Sequence, residues 1–147
     1  MSNWITKEIE RAVREDGVEV TPIGNDESEA LRSRIIERYC PGKPYWPLWE
    51  HCEFAERVQD RGSWRWIPEF IGSHECIILF NPSDDTGAFS CRDGDRLRTL
   101  LGQTHGFEFY LTDRSASYLI CFNHHDFLLA AGDAAPWLAK RRLAPVP

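Results

Sequence analysis

Two histidines and an aspartate stand side by side in Cys121-Phe122-Asn123-His124-His125-Asp126, the densest run of chemically capable side chains in the sequence. Imidazoles and carboxylates bind borderline metals and carry protons. The run could therefore supply two ligands to a metal, or the base of a hydrolase, with Asp113 or Cys121 as a further member. Its spacing argues against both. Successive residues of a strand point to opposite faces, so His124 and His125 can grip one ion only if the chain turns there. No HExxH and no paired CxxC supports them, and GxxxxGK[ST], GxGxxG and GxSxG are absent as well. The first reading is a strand-to-turn junction whose Asn123, His124 and Asp126 hydrogen-bond the backbone. The second is a polar cluster facing a partner. No catalytic residue, metal or cofactor is expected.

The five cysteines (Cys40, Cys52, Cys76, Cys91, Cys121) are odd in number and irregularly spaced, which reads as free thiols in a reducing compartment. Cys76 and Cys121 fall inside apolar runs and are expected in the core. Cys52 with His51 or His124 would be the pair to test for a nucleophile.

The acids are more informative as a field. Asp84, Asp85, Asp93 and Asp95 fall within twelve positions, relieved only by Arg92, and Glu50, Glu53, Glu56 and Asp60 precede them. One of Asp93 and Asp95 is expected to cap a helix. The others, with Asp113, are expected to face solvent and attract a basic partner through their field. The formal charge is −6; treating Lys140–Arg142 as part of a mobile tail, 140–147, leaves 23 acids against 14 bases. Such a balance excludes a simple nucleic-acid binder and gives no purchase on an anionic membrane. Trp46 and Trp49, in Tyr45-Trp46-Pro47-Leu48-Trp49, are either core filling or anchors of a contact surface.

These side chains need a scaffold, and 147 residues with 42% hydrophobic and 27% charged residues suffice for one domain, 1–147. Ile5, Ile9 and Val13 recur at helical spacing over 3–16, stopped by Gly17, and 18–23 alternates as a strand confined to an edge by Pro22. Asn25-Asp26 with Glu29 resembles a helix cap, and Leu31, Ile35, Ile36 and Tyr39 form the stripe of a helix over 27–39. Prolines 41, 44 and 47 break up 40–72, where Trp66–Gly72 fits a one-turn helix or a turn packed by its aromatics. Strands are expected at 75–80 and 88–91, a helix to about 103, and a hairpin of 107–112 with 118–122. Residues 127–131 suit one more strand, and Asp133-Pro136-Trp137 a capped final turn of helix. The expectation is an α+β fold: a mostly antiparallel sheet of five to six strands, with three to four helices in one layer on it. No apolar run approaches the ~18 residues of a membrane span, and no secretory leader is legible.

The stretches Phe107–Asp113 and Tyr118–Asp126, with Gly132-Asp133-Ala134 and Trp137-Leu138, resemble small bacterial proteins of the immunity type, encoded beside secreted polymorphic toxins. The segment Trp66–Ile71 and the strand after it resemble the SUKH-type immunity superfamily. The resemblance implies a cytoplasmic, non-catalytic protein, monomeric or homodimeric, that occludes its cognate toxin. Against a nuclease, whose groove is cationic, the acidic loops would be the contacts and Trp or Tyr the anchors. The alternatives are a metal protein or hydrolase using His124, His125 and Asp126, and a regulatory or structural interaction module.

Overall fold

A computed structural model describes residues 3–43 and 45–143. Seven strands form one sheet in the order β1-β4-β3-β5-β6-β7-β2, and every neighbouring pair is antiparallel. They are β1 (Thr21–Pro22), β2 (Glu56–Gln59), β3 (Cys76–Leu79), β4 (Ala88–Cys91), β5 (Phe109–Thr112), β6 (Tyr118–Phe122) and β7 (Phe127–Gly132). Six α-helices accompany them: α1 (Trp4–Asp16), α2 (Asn25–Tyr39), α3 (Leu48–His51), α4 (Ile67–Ile71), α5 (Gly94–Gln103) and α6 (Ala135–Leu143). A 3₁₀ turn, Ser63–Trp66, leads into α4. The class is as expected, with more strands and helices than the pattern showed.

The helices form two layers rather than one, because the central strands are apolar on both sides. Ile78, Phe80, Phe109, Leu111, Ile120, Leu128 and Ala130 face α1, α4, α5 and α6. Alternate residues Ile77, Leu79, Tyr110, Leu119, Cys121, Leu129 and Ala131 face α2 and α3. An uninterrupted run such as Cys76–Phe80 is the mark of such a strand, and all five residues are at most 1% exposed.

Several local expectations shift. In α1 the buried stripe is Ile5, Ile9 and Ala12, while Val13 is 42% exposed. The helix α2 starts after Gly24 with no side-chain cap, so Asn25 and Glu29 form no capping box. Only two residues of 18–23 pair as a strand, and they lie at the sheet edge as Pro22 requires. Asp93 caps α5 by accepting the Arg96 N–H at 2.9 Å. Residues 140–143 belong to α6: Arg141 bridges to Glu69 and Arg142 to Glu56, so those bases are part of the folded body. The end of the expected tail, 144–147, lies outside the described residues. No helix among the described residues is long and apolar enough to cross a membrane.

Candidate functional site: an acidic cleft at one end of the sheet

The antiparallel register sorts the loops into two ends. The far end of β4, the start of β3, the β5–β6 turn and the end of β7 share one, carrying Asp93, Glu75, Asp113 and Asp133. The β3–β4 loop, the approach to β5 and the β6–β7 turn share the other, carrying Asp84, Asp85, Glu108 and residues 123–126. The four acids so close in sequence are thus divided by the length of β4, about 13 Å for four residues at strand rise, and do not form one patch.

Asp85 is no surface contact. It is 1% exposed, and its carboxylate accepts the Thr6 N–H at 2.7 Å, the Thr6 hydroxyl at 2.8 Å and the Gly87 N–H at 2.7 Å. It stands in for the missing side-chain cap of α1. Asp93 is spent on α5 and on Arg96, and the exposed Asp95 pairs with Arg98 at 2.6 Å. Asp84, half-buried, lines a cleft of about 460 Å³ with Trp4, Phe107, Glu108, His124 and Asp126.

Around that second cleft the polar run is structural. Asn123, 3% exposed, accepts the N–H groups of His125 and Phe127 through Oδ1, and closes the turn in which Asp126 takes φ +63°. The N–H of His124 donates to Glu108 at 2.9 Å, and its Nδ1 lies 2.7 Å from the same oxygen. The other Glu108 oxygen accepts from Asn81 Nδ2, and Asn81 Oδ1 accepts from Tyr110 Oη, which in turn accepts the Leu48 N–H. Burial pushes the Tyr110 hydroxyl pKa far up and keeps it a donor. This chain of bonds ties α3 to the β6–β7 turn. The two imidazoles lie against each other, tilted by 46° with centroids 3.8 Å apart, and among the described residues no group of three His, Cys, Asp or Glu converges on a point where a metal could sit.

The tryptophans and cysteines resolve differently from each other. Trp46 lies half-buried against Tyr110 and over the Arg32 guanidinium, and Trp49 half-buried against both histidines, its indole N–H without a partner among the described residues. Both belong mainly to the core beneath α2 and α3. Cys40 and Cys52 form a disulfide, which corrects the expectation of five free thiols and removes Cys52 as a nucleophile. Cys76, Cys91 and Cys121 are free and fully buried.

A different set converges at the first end. Between α4 and the β5–β6 hairpin lies a cleft of about 480 Å³, lined by Phe70, Ile71, His74, Glu75, Asp113, Ser117, Tyr118 and Asp133. The register explains it. Tyr118 opens the interior strand β6; β5 leads into Asp113 on one side, and on the other Gly132 pairs with Tyr118 and leads into Asp133. Phe70 stands edge-on to Tyr118 with ring centroids 5.0 Å apart. Asp113 accepts the Ser117 N–H at 2.9 Å and the Ser115 N–H and hydroxyl at 3.2 and 3.1 Å, with the Ser117 hydroxyl close by. Glu75 is held by Arg114 at 2.7 Å and by the Ser90 hydroxyl at 2.6 Å. Among the described residues neither Asp113 nor Asp133 has a cationic partner; serine N–H and hydroxyl groups meet the Asp113 charge, and no hydrogen bond meets that of Asp133. Of this set only Asp113 was legible in the sequence as a contact; Asp133, Glu75 and Tyr118 were not, because no local pattern connects them.

These bonds have a pH consequence. Burial works to raise the Asp113 pKa, but the Ser117 and Ser115 hydrogen bonds together outweigh it and hold the carboxyl below the usual range; the Arg114 guanidinium and the Ser90 hydroxyl do the same for Glu75. A carboxyl depressed in the folded state contributes stability above its unfolded pKa, about 4, and loses it as pH falls through the folded value. Urea midpoints are therefore expected to hold from neutral pH down to about 4 and to fall below it. Asp113→Asn should flatten that fall, and an acid limb identical to the parent's would refute the assignment.

No known protein family, no curated protein and no solved structure matches this chain.

Proposed function

We propose that the protein is a non-catalytic binding protein of the immunity type, which neutralises a cognate toxin in the cytoplasm by covering a basic surface with the acidic end of its sheet. The observation that carries this reading is the pair of carboxylates without a cationic partner among the described residues, Asp113 and Asp133, over an aromatic-floored cleft. A carboxylate-rich face complements the cationic groove of a nuclease-like effector and speeds encounter with it, at no cost in bound nucleic acid. The contacts move from the acidic loops favoured by the sequence to this end of the sheet, with Phe70 and Tyr118 in the place given to tryptophan anchors. The cytoplasmic placement rests on the immunity-type resemblance alone, since the Cys40–Cys52 bridge removes the argument from five free thiols.

The test is growth on co-expression with the secreted effector encoded beside this gene. Protection is expected, together with a complex on size-exclusion that dissociates as salt rises. Asp113→Asn with Asp133→Asn should weaken the complex at least about tenfold. Absence of both protection and complex would overturn the reading.

A further inference from the structure

We propose that the cleft over Tyr118 is a receptor for one guanidinium group, the side chain of an arginine presented by a protein partner. The inference rests on the binding-protein reading for the source of the arginine, and on the cleft alone for its chemistry.

Tyr118 is 6% exposed, yet its hydroxyl makes no hydrogen bond among the described residues; it lines the cleft instead. The ring is buried while the hydroxyl is not among the buried atoms without a partner, so it is the hydroxyl that opens to the cleft, where the N–H of a ligand can reach it. Burial raises its pKa strongly, so the hydroxyl remains protonated and uncharged. It can give its proton to nothing on a cation, but its oxygen can accept an N–H. Asp113 and Asp133 flank it from the two neighbouring strands: the Asp133 carboxylate has no hydrogen bond among the described residues, and Asp113, whose Oδ1 takes three donors, keeps room on Oδ2 beside the Ser117 hydroxyl.

Three acceptors around one aromatic floor select among cations. A guanidinium carries five N–H donors in one plane and is weakly hydrated, so it can meet two carboxylates and a hydroxyl at once while its face lies on Phe70. An ammonium is a compact, strongly hydrated point charge with three donors and no flat face. Arg114 does not fill this role: it is held by Glu75 and Glu27. The volume, about 480 Å³, lies in the range of small-ligand clefts.

The experiment follows the amide NMR spectrum of the full-length protein titrated with acetyl-Gly-Arg-Gly-amide, and with the same peptide carrying lysine or citrulline. Saturable shifts at Asp113, Ser117, Tyr118 and Asp133 are expected with arginine, binding at least about threefold weaker with lysine, and none with the neutral isostere citrulline. Tyr118→Phe should weaken arginine binding about threefold to tenfold and Asp133→Asn about tenfold, each with an otherwise unchanged spectrum. Equal shifts with citrulline, lysine binding as tight as arginine, or both variants binding like the parent would overturn the proposal. Peptide binding without any toxin complex would sink the immunity reading alone. A toxin complex indifferent to Tyr118→Phe and Asp133→Asn would sink the arginine site alone.

Discussion

Gly132→Ala is expected to destabilise the protein by about 3–4 kcal/mol, since left-handed backbone costs an alanine about 1–2 kcal/mol and overpacking costs a further 1–3. Gly132 ends β7 at φ +64°. A methyl group there would stand 2.5 Å from the Ser117 carbonyl oxygen and 2.5 Å from the Tyr39 hydroxyl. Neither neighbour is free to yield. The Ser117 carbonyl accepts the Asp133 N–H at 3.0 Å, and Tyr39 Oη donates to the Ala116 carbonyl at 2.7 Å. The same glycine thus lets β7 pass close enough to the β5–β6 turn to bring Asp133 beside Tyr118. For a chain of this size the loss corresponds to a fall in Tm of about 10 °C by thermal denaturation. Gly102→Ala supplies the contrast. Gly102 sits on the exposed side of α5 with nothing within 4 Å and no positive φ, so alanine there should stabilise by about 0.5–1 kcal/mol. If the two substitutions shift Tm alike, close approach at Gly132 is not what limits that position.

Arg32→Met should cost about 3 kcal/mol in urea unfolding, because it orphans acceptors that each carry a desolvation penalty of about 1–3 kcal/mol. Arg32 lies in the buried stripe of α2, only 6% exposed, with no ion pair among the described residues. Its guanidinium donates to the Phe80 carbonyl at 2.9 Å and to the Thr86 and Gly87 carbonyls at 3.3 Å, beneath the Trp46 ring at 5.4 Å. Burial lowers its pKa, with Glu29 and Asp85 opposing the shift. Methionine fills the volume and restores none of the three bonds. The same loop carries Asp85, which caps α1, so Arg32→Met and Asp85→Asn should combine non-additively in a double-mutant cycle. A cost below about 1 kcal/mol, or strict additivity, would show that Arg32 does not organise the β3–β4 loop.

Both charged residues illustrate where hydropathy misleads. Arg32 and Asp85 are among the most polar side chains by type, and a pattern argument puts them in solvent. They are buried because backbone groups converge on them: three carbonyls from the β3–β4 region on the guanidinium, and the N–H groups of distant Thr6 and nearby Gly87 on the carboxylate. The acidic field inferred from residues 84–95 fails for the same reason. Asp85 and Asp93 are occupied as caps, and β4 carries the two halves of the cluster to opposite ends of the sheet.

What the sequence alone determined is what depends on near neighbours. Two-residue alternation and apolar runs marked β3, β5, β6 and β7; four-residue spacing marked α1 and α2; Asp93 and Asp95 before a Leu-rich stripe marked a capped α5, and the structure chose Asp93. Even the turn at Asn123–Asp126 was legible, since its bonds close within five residues. Tertiary structure alone decided which face of each element met a partner, and so that helices cover both sides of the sheet. It also decided that Cys40 meets Cys52, that Arg32 goes inside, and that Asp113, Tyr118 and Asp133 share a cleft with Phe70. Local preference is set by the chain's own torsions and side-chain period, whereas a site is set by strand order and register, and those emerge only when the whole core closes.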